Sequence, residues 1–349
     1  REALNGQILE EGITEAGAMA SFQAAATAYA TWSQPMLPFF LFYSMFGFQR
    51  VGDLIWQFAD ARGRGFLLGC TAGRTTMSGE GLQHEDGQSH VLASVVPNVR
   101  AYDPAFAYEV GAIVEHGIRE MYGPDGKDVF YYLTLYNENY PMPAIPAGEE
   151  DQERIVQGTI RGLYRFSEPP PSDGKREHFY ERSSPRRATI LFSGTAWQAA
   201  ERARAILASD WNVSAETWSV TSYKSLREDA LQVERWNRLH PNETPRVPYV
   251  TRALSAASGP IVAVTDFMKA VPDQISRFVN VPFTPLGTDG FGRSDTREAL
   301  RRHFETDAEH VVVAVLSSLA ANGEAKQDEV SRAIAAYGID PEAPDPRIA

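Results

Sequence analysis

Short, continuously apolar runs alternate with helix-periodic segments along this chain, and no other feature restricts its fold so tightly. LPFFLFY (Leu37 to Tyr43) and GFLLGC (Gly65 to Cys70) are far shorter than a membrane span of roughly 18 residues. Both are too uniformly apolar for a strand with one wet face, so each is expected as a buried strand. Between them, Phe48 to Ala61 carries Val51, Leu54, Ile55 and Phe58 at helical spacing, and the alanine-rich stretch Glu10 to Thr31 predicts an earlier helix. A strand at Val99 to Tyr102, a helix from Ala105 to Met121 and a strand at Val129 to Leu135 complete a first block. Alternation of this kind specifies an α/β fold, with mainly parallel sheets covered on both faces.

A second block repeats the alternation. Strands are expected at Ala188 to Phe192, Glu216 to Val220 and Ile261 to Thr265. Helices are expected at Ala196 to Leu207, Ser225 to Asn237, Thr296 to Phe304, Asp307 to Ala321 and Lys326 to Tyr337. Residues 167–187 (SEPPPSDGKREHFYERSSPRR) hold four prolines and many charges with little apolar content, and read as a linker or mobile loop. The chain thus divides into blocks at 1–150 and 188–349, joined through 151–187.

Charge excludes some classes of function. Acidic residues outnumber basic ones, 45 to 33, for a formal net charge of −12, so neither nucleic acid nor an anionic membrane is an expected partner. The single cysteine, Cys70, rules out an internal disulfide and suits a reducing compartment, so a cytoplasmic location is expected.

Three segments hold residues fit for chemistry. GITEAG (12–17) sets the carboxylate Glu15 among small and apolar residues where a helix begins. It is either a solvated first-turn glutamate favoured by the helix dipole or a carboxyl that exchanges a proton with a bound heterocycle. GEGLQHEDGQSH (79–90) gathers Glu80, His84, Glu85, Asp86 and His90 between glycines. That loop is either a proton-handling element close to a ligand or a flexible polar surface, and no HExxH or CxxC spacing supports a metal site. LGTDGFGRSD (286–295) fails both the Walker and the GxGxxG patterns. Its plain reading is a tight turn leading into a helix at Thr296, with Asp295 as the cap.

In order along the chain stand MFGFQRVGDLIWQ, TAGRTTMSGEGLQHEDG, NENYPMPA, VTSYKSLREDA, ERWNRLHPNETPRVPY and LGTDGFGRSDTRE. This series resembles the homodimeric pyruvate dehydrogenase component of bacterial pyruvate dehydrogenase complexes, whose transketolase-like fold has three successive α/β domains. The resemblance implies that 1–150 is the pyrimidine-binding middle domain and 188–349 the C-terminal domain. It also implies that the chain is the C-terminal portion of a longer subunit. Thiamine diphosphate is the implied cofactor, with magnesium. The family's magnesium-holding Gly-Asp-Gly does not occur here, since Glu85-Asp-Gly87, Pro124-Asp-Gly126 and Thr288-Asp-Gly290 all lack the first glycine. The magnesium ligands are therefore expected in the first domain, and no metal ligand is assigned in this chain.

Matched residue by residue, Glu15 is the implied partner of the aminopyrimidine ring nitrogen and Phe46 the aromatic packed on that ring. Ile13 lines the cofactor pocket. The resemblance likewise implies that Tyr43 and His84 stand beside the reacting carbon and that Glu80 orients the site or anchors its loop. Gln88 occupies a position where many relatives are expected to carry histidine. The implied reaction decarboxylates pyruvate and passes the two-carbon unit reductively to the lipoyl group of an acetyltransferase component. A transketolase-type sugar enzyme and an inert dimerisation fragment are the competing readings.

Overall fold

The computed structural model describes residues 3–169, 185–257 and 259–349. The expected alternation is present as two sheets. In the first, β1 (Phe39–Phe42), β2 (Phe66–Cys70), β3 (Val99–Tyr102) and β4 (Phe130–Leu135) pair in parallel, in the order β1-β2-β4-β3. Successive side chains of a strand point to opposite faces. Phe130 and Tyr132 of β4 therefore enter one core and Tyr131 and Leu133 the other. The first core is closed by α1 (Glu15–Ala26), with α2 (Ala28–Thr31) following it, and by α3 (Phe48–Asp60) and α4 (Ser89–Ser94). Met19, Phe22, Ile55, Phe58 and Ala93 are its contributions from those helices. The second core is closed by Ile113 and Met121 of α5 (Ala107–Tyr122).

One strand departs from expectation. Leu37 to Tyr43 was expected to be wholly buried, yet only Phe40 and Phe42 are covered, and Leu41 is 63% exposed. The reason is positional. β1 is an edge strand, and the core under α5 extends over β2, β3 and β4 without reaching Leu41.

Beyond β4 the chain forms α6 (Glu149–Arg161), turns at Gly162, and adds β5 (Tyr164–Ser167). Residues 149–167, expected to belong partly to a join, are thus regular structure, and β5 already belongs to the second sheet. The linker reading of 167–187 falls mostly outside the described residues. At its margins, Ser167 closes β5 and Arg186 opens β6 (Arg186–Phe192). The second sheet continues with β7 (Val213–Ser219), β8 (Ile261–Val264) and β9 (Phe283–Leu286). Its order is β5-β7-β6-β8-β9, parallel except for β5 against β7. One face packs on α7 (Trp197–Asp210), and α8 (Tyr223–Leu239) and α9 (Tyr249–Ala253) cover the other. α10 (Arg297–His303) follows β9; α11 (Ala308–Ala321) and α12 (Gln327–Ala336) complete the layer with α7.

The seam between the sheets is polar and closely bonded. Asp103, just after β3, accepts from Ser193 Oγ at 2.6 Å, from Thr134 Oγ1 at 2.7 Å and from the Tyr136 hydroxyl. Its amide donates to Thr221 O at 2.8 Å. A buried carboxylate surrounded by donors fixes geometry, because any misalignment strands buried polar atoms. Among the described residues no helix is long and apolar enough to cross a membrane.

Candidate active site

Thr14 caps α1 by accepting from the Gly17 amide at 3.3 Å, which sets Glu15 in the first turn. The Glu15 carboxylate lies 3.0 Å from an Arg50 guanidinium nitrogen, reached from the first turns of α3. Arg50 also stacks over the Phe46 ring, 4.0 Å from its centroid. Phe46 sits on a 3₁₀ turn, Ser44–Phe46, that follows β1 directly, with Tyr43 at the turn's start and its ring 6.1 Å away. His84 stands on a second 3₁₀ turn, Leu82–His84. Its ring is 5.2 Å from Tyr43 and 5.3 Å from Phe46. Glu80 Oε2 lies 3.5 Å from His84 Nδ1, close enough for an ion pair but without hydrogen-bond alignment.

Glu15, Phe46, Tyr43, His84 and Glu80 therefore form one continuous run across the ends of α1, β1 and the 79–88 loop. Ile13 does not join it, and its side chain is fully exposed. Arg50, which links Glu15 to Phe46, escaped the sequence reading. An arginine in the first turn of the expected helix, four residues after an aromatic that precedes it, was the available signal. Chemically, the run offers two carboxylates, one imidazole and a ledge of aromatic faces, a set suited to a flat heteroaromatic ligand.

The 79–90 loop is surface only in part, exposed at Gly79, Leu82 and Gln83 but buried from Glu85 to Gly87, and the segment before it is buried too. Ala72 to Met77 are buried, and Glu85 and Asp86 have no exposed surface. Polar residues are buried here because the second unit supplies their partners. Asp266 accepts from the amides of Arg74 and Thr75, each at 3.0 Å, and Met268 N donates to Gly87 O at 2.8 Å. Arg74 donates to Thr288 O at 2.5 Å and to Gly290 O. Gly73, at φ +89°, admits the Asp266 carboxylate so closely that a Cβ would lie 2.0 Å from Oδ2.

The 286–295 segment, weak as a motif, thus has a role as a brace for this loop. The Gly79 amide donates to Asp295 O at 3.1 Å, and Arg297 Nε to Thr76 O at 2.7 Å. Asp295 is not the cap of the following helix. Thr296 is, accepting from the Ala299 amide at 3.3 Å, while Asp295 Oδ1 accepts from Thr296 N at 2.7 Å. His90 is also a core residue, bonded through Nε2 to Thr134 Oγ1 at 3.0 Å. Burial holds it below the ordinary histidine value. Gln88, at the position expected to carry histidine in many relatives, accepts from Arg74 at 3.0 Å through its side-chain oxygen. Among the described residues no group of three histidine, cysteine or acidic side chains is arranged to hold a metal.

Glu85 makes the brace sensitive to pH. Its Oε2 accepts from the Arg293 amide at 2.7 Å, whereas its Oε1 is buried with no partner. Desolvation pushes its pKa from 4.5 to about 7, against that hydrogen bond and the nearby Arg74 charge. The folded value lies above the unfolded one, so the stabilising contribution is complete below about pH 4.5 and is lost as pH rises through about 7. Asp266, raised to about 6 chiefly by burial, acts in the same direction. Glu85→Gln keeps the acceptor for Arg293 and removes the titration. Its urea midpoint, relative to wild type, is expected to be higher at pH 8 than at pH 5. An equal difference at the two pH values would refute this account.

Comparison with known proteins adds the following. The pyruvate dehydrogenase E1 component middle domain matches residues 1–143, and a transketolase-like C-terminal domain matches 178–307. The pyruvate dehydrogenase E1 component of Pseudomonas aeruginosa is 50% identical over 347 residues, covering 99% of this chain and 37% of that protein. The Escherichia coli K12 E1 component is 48% identical over 350 residues, covering 100% and 37%, and the Mycobacterium tuberculosis one 49% over 340 residues, covering 97% and 35%. The chain thus spans little more than a third of the length of these curated relatives. Among solved structures, transketolase from Leishmania mexicana aligns at a TM-score of 0.60 and 14% identity, covering 95% of this chain and 38% of that one. A split-gene transketolase, described as an inactive beta4 tetramer, aligns at 0.58 and 16%, covering 88% and 83%. At such identities these two establish the transketolase-like fold and nothing more.

Proposed function

Because the chain belongs to the pyruvate dehydrogenase E1 family, matching its middle domain and a transketolase-like C-terminal domain, we propose that it forms part of a thiamine-diphosphate-dependent pyruvate dehydrogenase. In this reading the subunit decarboxylates pyruvate and passes the two-carbon unit reductively to a lipoyl group on the acetyltransferase component. The observation that carries it is the gathering of Glu15, Phe46, Tyr43, His84 and Glu80 into one run on a chain about half identical to those relatives.

The donor set fits the heteroaromatic end of the cofactor. Glu15 is 18% exposed on its side chain and can reach a ring nitrogen, with Phe46 offering a stacking face beside it. The set does not fit the diphosphate end, since the described residues provide no metal cluster. Magnesium and the diphosphate therefore belong, in this proposal, to residues other than these. When bound, thiamine diphosphate supplies the carbon nucleophile and takes up the electrons left by carbon dioxide.

The chain's own residues then have these tasks. Glu15 holds or releases a proton at the pyrimidine ring nitrogen. Tyr43 and His84 face the substrate with a hydroxyl and an imidazole, and Glu80 orients His84. Ile13 needs a surface to cover it. The uncovered apolar side chains of Ile8, Leu9, Trp32, Met36, Leu37 and Leu41 support a second subunit as that cover. A homodimer with the cofactor between subunits is therefore part of the proposal, as is the division into a middle domain (1–150), a join (151–187) and a C-terminal domain (188–349).

The full-length subunit, supplied with thiamine diphosphate and magnesium, is expected to release carbon dioxide from carboxyl-labelled pyruvate and to need both additions. If it instead moved two-carbon units between sugar phosphates and left pyruvate intact, the transketolase reading would replace this one.

A further inference from the structure

His84 faces Tyr43 and Phe46 from a separate turn, so the approach of these rings depends on whatever locks the two turns together. Two residues beyond His84, Asp86 is completely buried, and so is Ser44, which follows Tyr43. Asp86 Oδ2 accepts from Ser44 Oγ, and Oδ1 accepts from the amides of Gln88 at 3.0 Å and Ser89 at 2.8 Å. The Tyr132 hydroxyl donates to Ser89 Oγ at 2.9 Å and packs 3.2 Å from Ser44 Oγ, so four residues share one buried polar cluster. β2 seals this cluster from behind. A Cβ on Gly69 would stand 2.8 Å from the Tyr132 hydroxyl oxygen and 3.1 Å from Ser44 Oγ. With no exposed surface, Asp86 cannot meet a substrate, and any influence it has on chemistry passes through Ser44 and its own loop.

We propose that Asp86 is a positioning residue for His84, its carboxylate tying the Tyr43–Phe46 turn to the loop that carries the imidazole. The inference rests on the role given to His84 under the proposed function. The two amides need an acceptor, and a carboxylate supplies one oxygen to them and the other to the Ser44 hydroxyl. An asparagine keeps the connection, because its NH₂ donates to the Ser44 oxygen while its own oxygen serves the amides. An alanine removes both oxygens, and with them the connection between the turns. A displacement of about 1 Å in a reacting group costs on the order of 10²-fold in rate, whereas binding of a small substrate is less sensitive.

The test uses the full-length, cofactor-saturated subunit. Asp86→Ala is expected to lower kcat by about 30-fold and to change KM for pyruvate by less than about threefold. Placed on His84→Ala, the same change is expected to cost less than about twofold more, because the group it positions is gone. A merely structural role would not give that epistasis. D86A at the wild-type rate, or costing its full factor on H84A, overturns the proposal. H84A within about threefold of wild type overturns both this inference and the role assigned to His84, whereas a slow H84A beside a wild-type-like D86A overturns the positioning alone. Should D86A fail to fold, Ser44→Ala decides by the same measures. It removes one hydroxyl and is expected to lower kcat about tenfold, with the same loss of effect on H84A.

Discussion

Glu15→Ala in the full-length subunit is expected to lower steady-state pyruvate decarboxylation by about 10³-fold, or about 4 kcal/mol of barrier. The size follows from the task. A positioned acid–base group contributes roughly 10² to 10⁴ in rate. Among the described residues, Glu15 is the carboxylate paired to the Arg50 that stacks on Phe46. Its structural part is small by comparison. A first-turn acid at a helix N-terminus contributes about 0.3–1 kcal/mol, and an ion pair this open at Arg50 adds at most about 1 kcal/mol. Melting temperature should therefore move by a few degrees at most while turnover collapses. A variant that decarboxylates pyruvate within about threefold of wild type would remove Glu15 from the reaction.

The second large effect concerns stability. Glu109 has no exposed surface and is bonded at both oxygens. Oε1 accepts from the Tyr164 hydroxyl at 2.6 Å and from Ser219 Oγ at 2.7 Å, and Oε2 accepts from the amides of Ala105 at 2.6 Å and Phe106 at 3.1 Å. This side chain joins the start of α5 in the first unit to β5 and β7 in the second. Burial raises its pKa, and the four donors oppose that rise. Glu109→Ala leaves the Ser219 hydroxyl and the two amides without this acceptor, the Tyr164 hydroxyl keeping Tyr108 at 2.8 Å, and is expected to cost about 3–5 kcal/mol, read as a fall in the urea midpoint. Glu109→Gln retains one acceptor oxygen and should fall between the two. A loss below about 1 kcal/mol for the alanine variant would mean that water or a shifted loop satisfies the donors, and that Glu109 does not hold the seam.

Much of this architecture was legible in the chain itself, for a local reason. Apolar spacing records which face of an element is buried, so strands such as Val99 to Tyr102 and helices such as Asp307 to Ala321 appear within a residue or so of their predicted places. The order of motifs carried the family. Helix α6 was less legible: Glu149–Arg161 is rich in charge, with Ile155 as its one fully buried large side chain, so its apolar signal is faint. Leu41 misled in the opposite direction. An apolar run says that a strand wants cover, but not whether a helix lies over both its faces.

The site divides along the same line. By itself the sequence determined the α/β alternation, the residue types at Glu15, Tyr43, Phe46, Glu80 and His84, and the resemblance that pointed to them. Only the tertiary structure decided that Arg50 bridges Glu15 to Phe46, that Ile13 stands clear, and that Glu85 and Asp86 are buried. It also decided that 286–295 braces a loop some 200 residues earlier. A polar side chain carries no periodic record of its partner. Hydrogen bonds are short and directional, and the groups that satisfy Asp86 or Glu109 come from distant segments that only folding brings within about 3 Å.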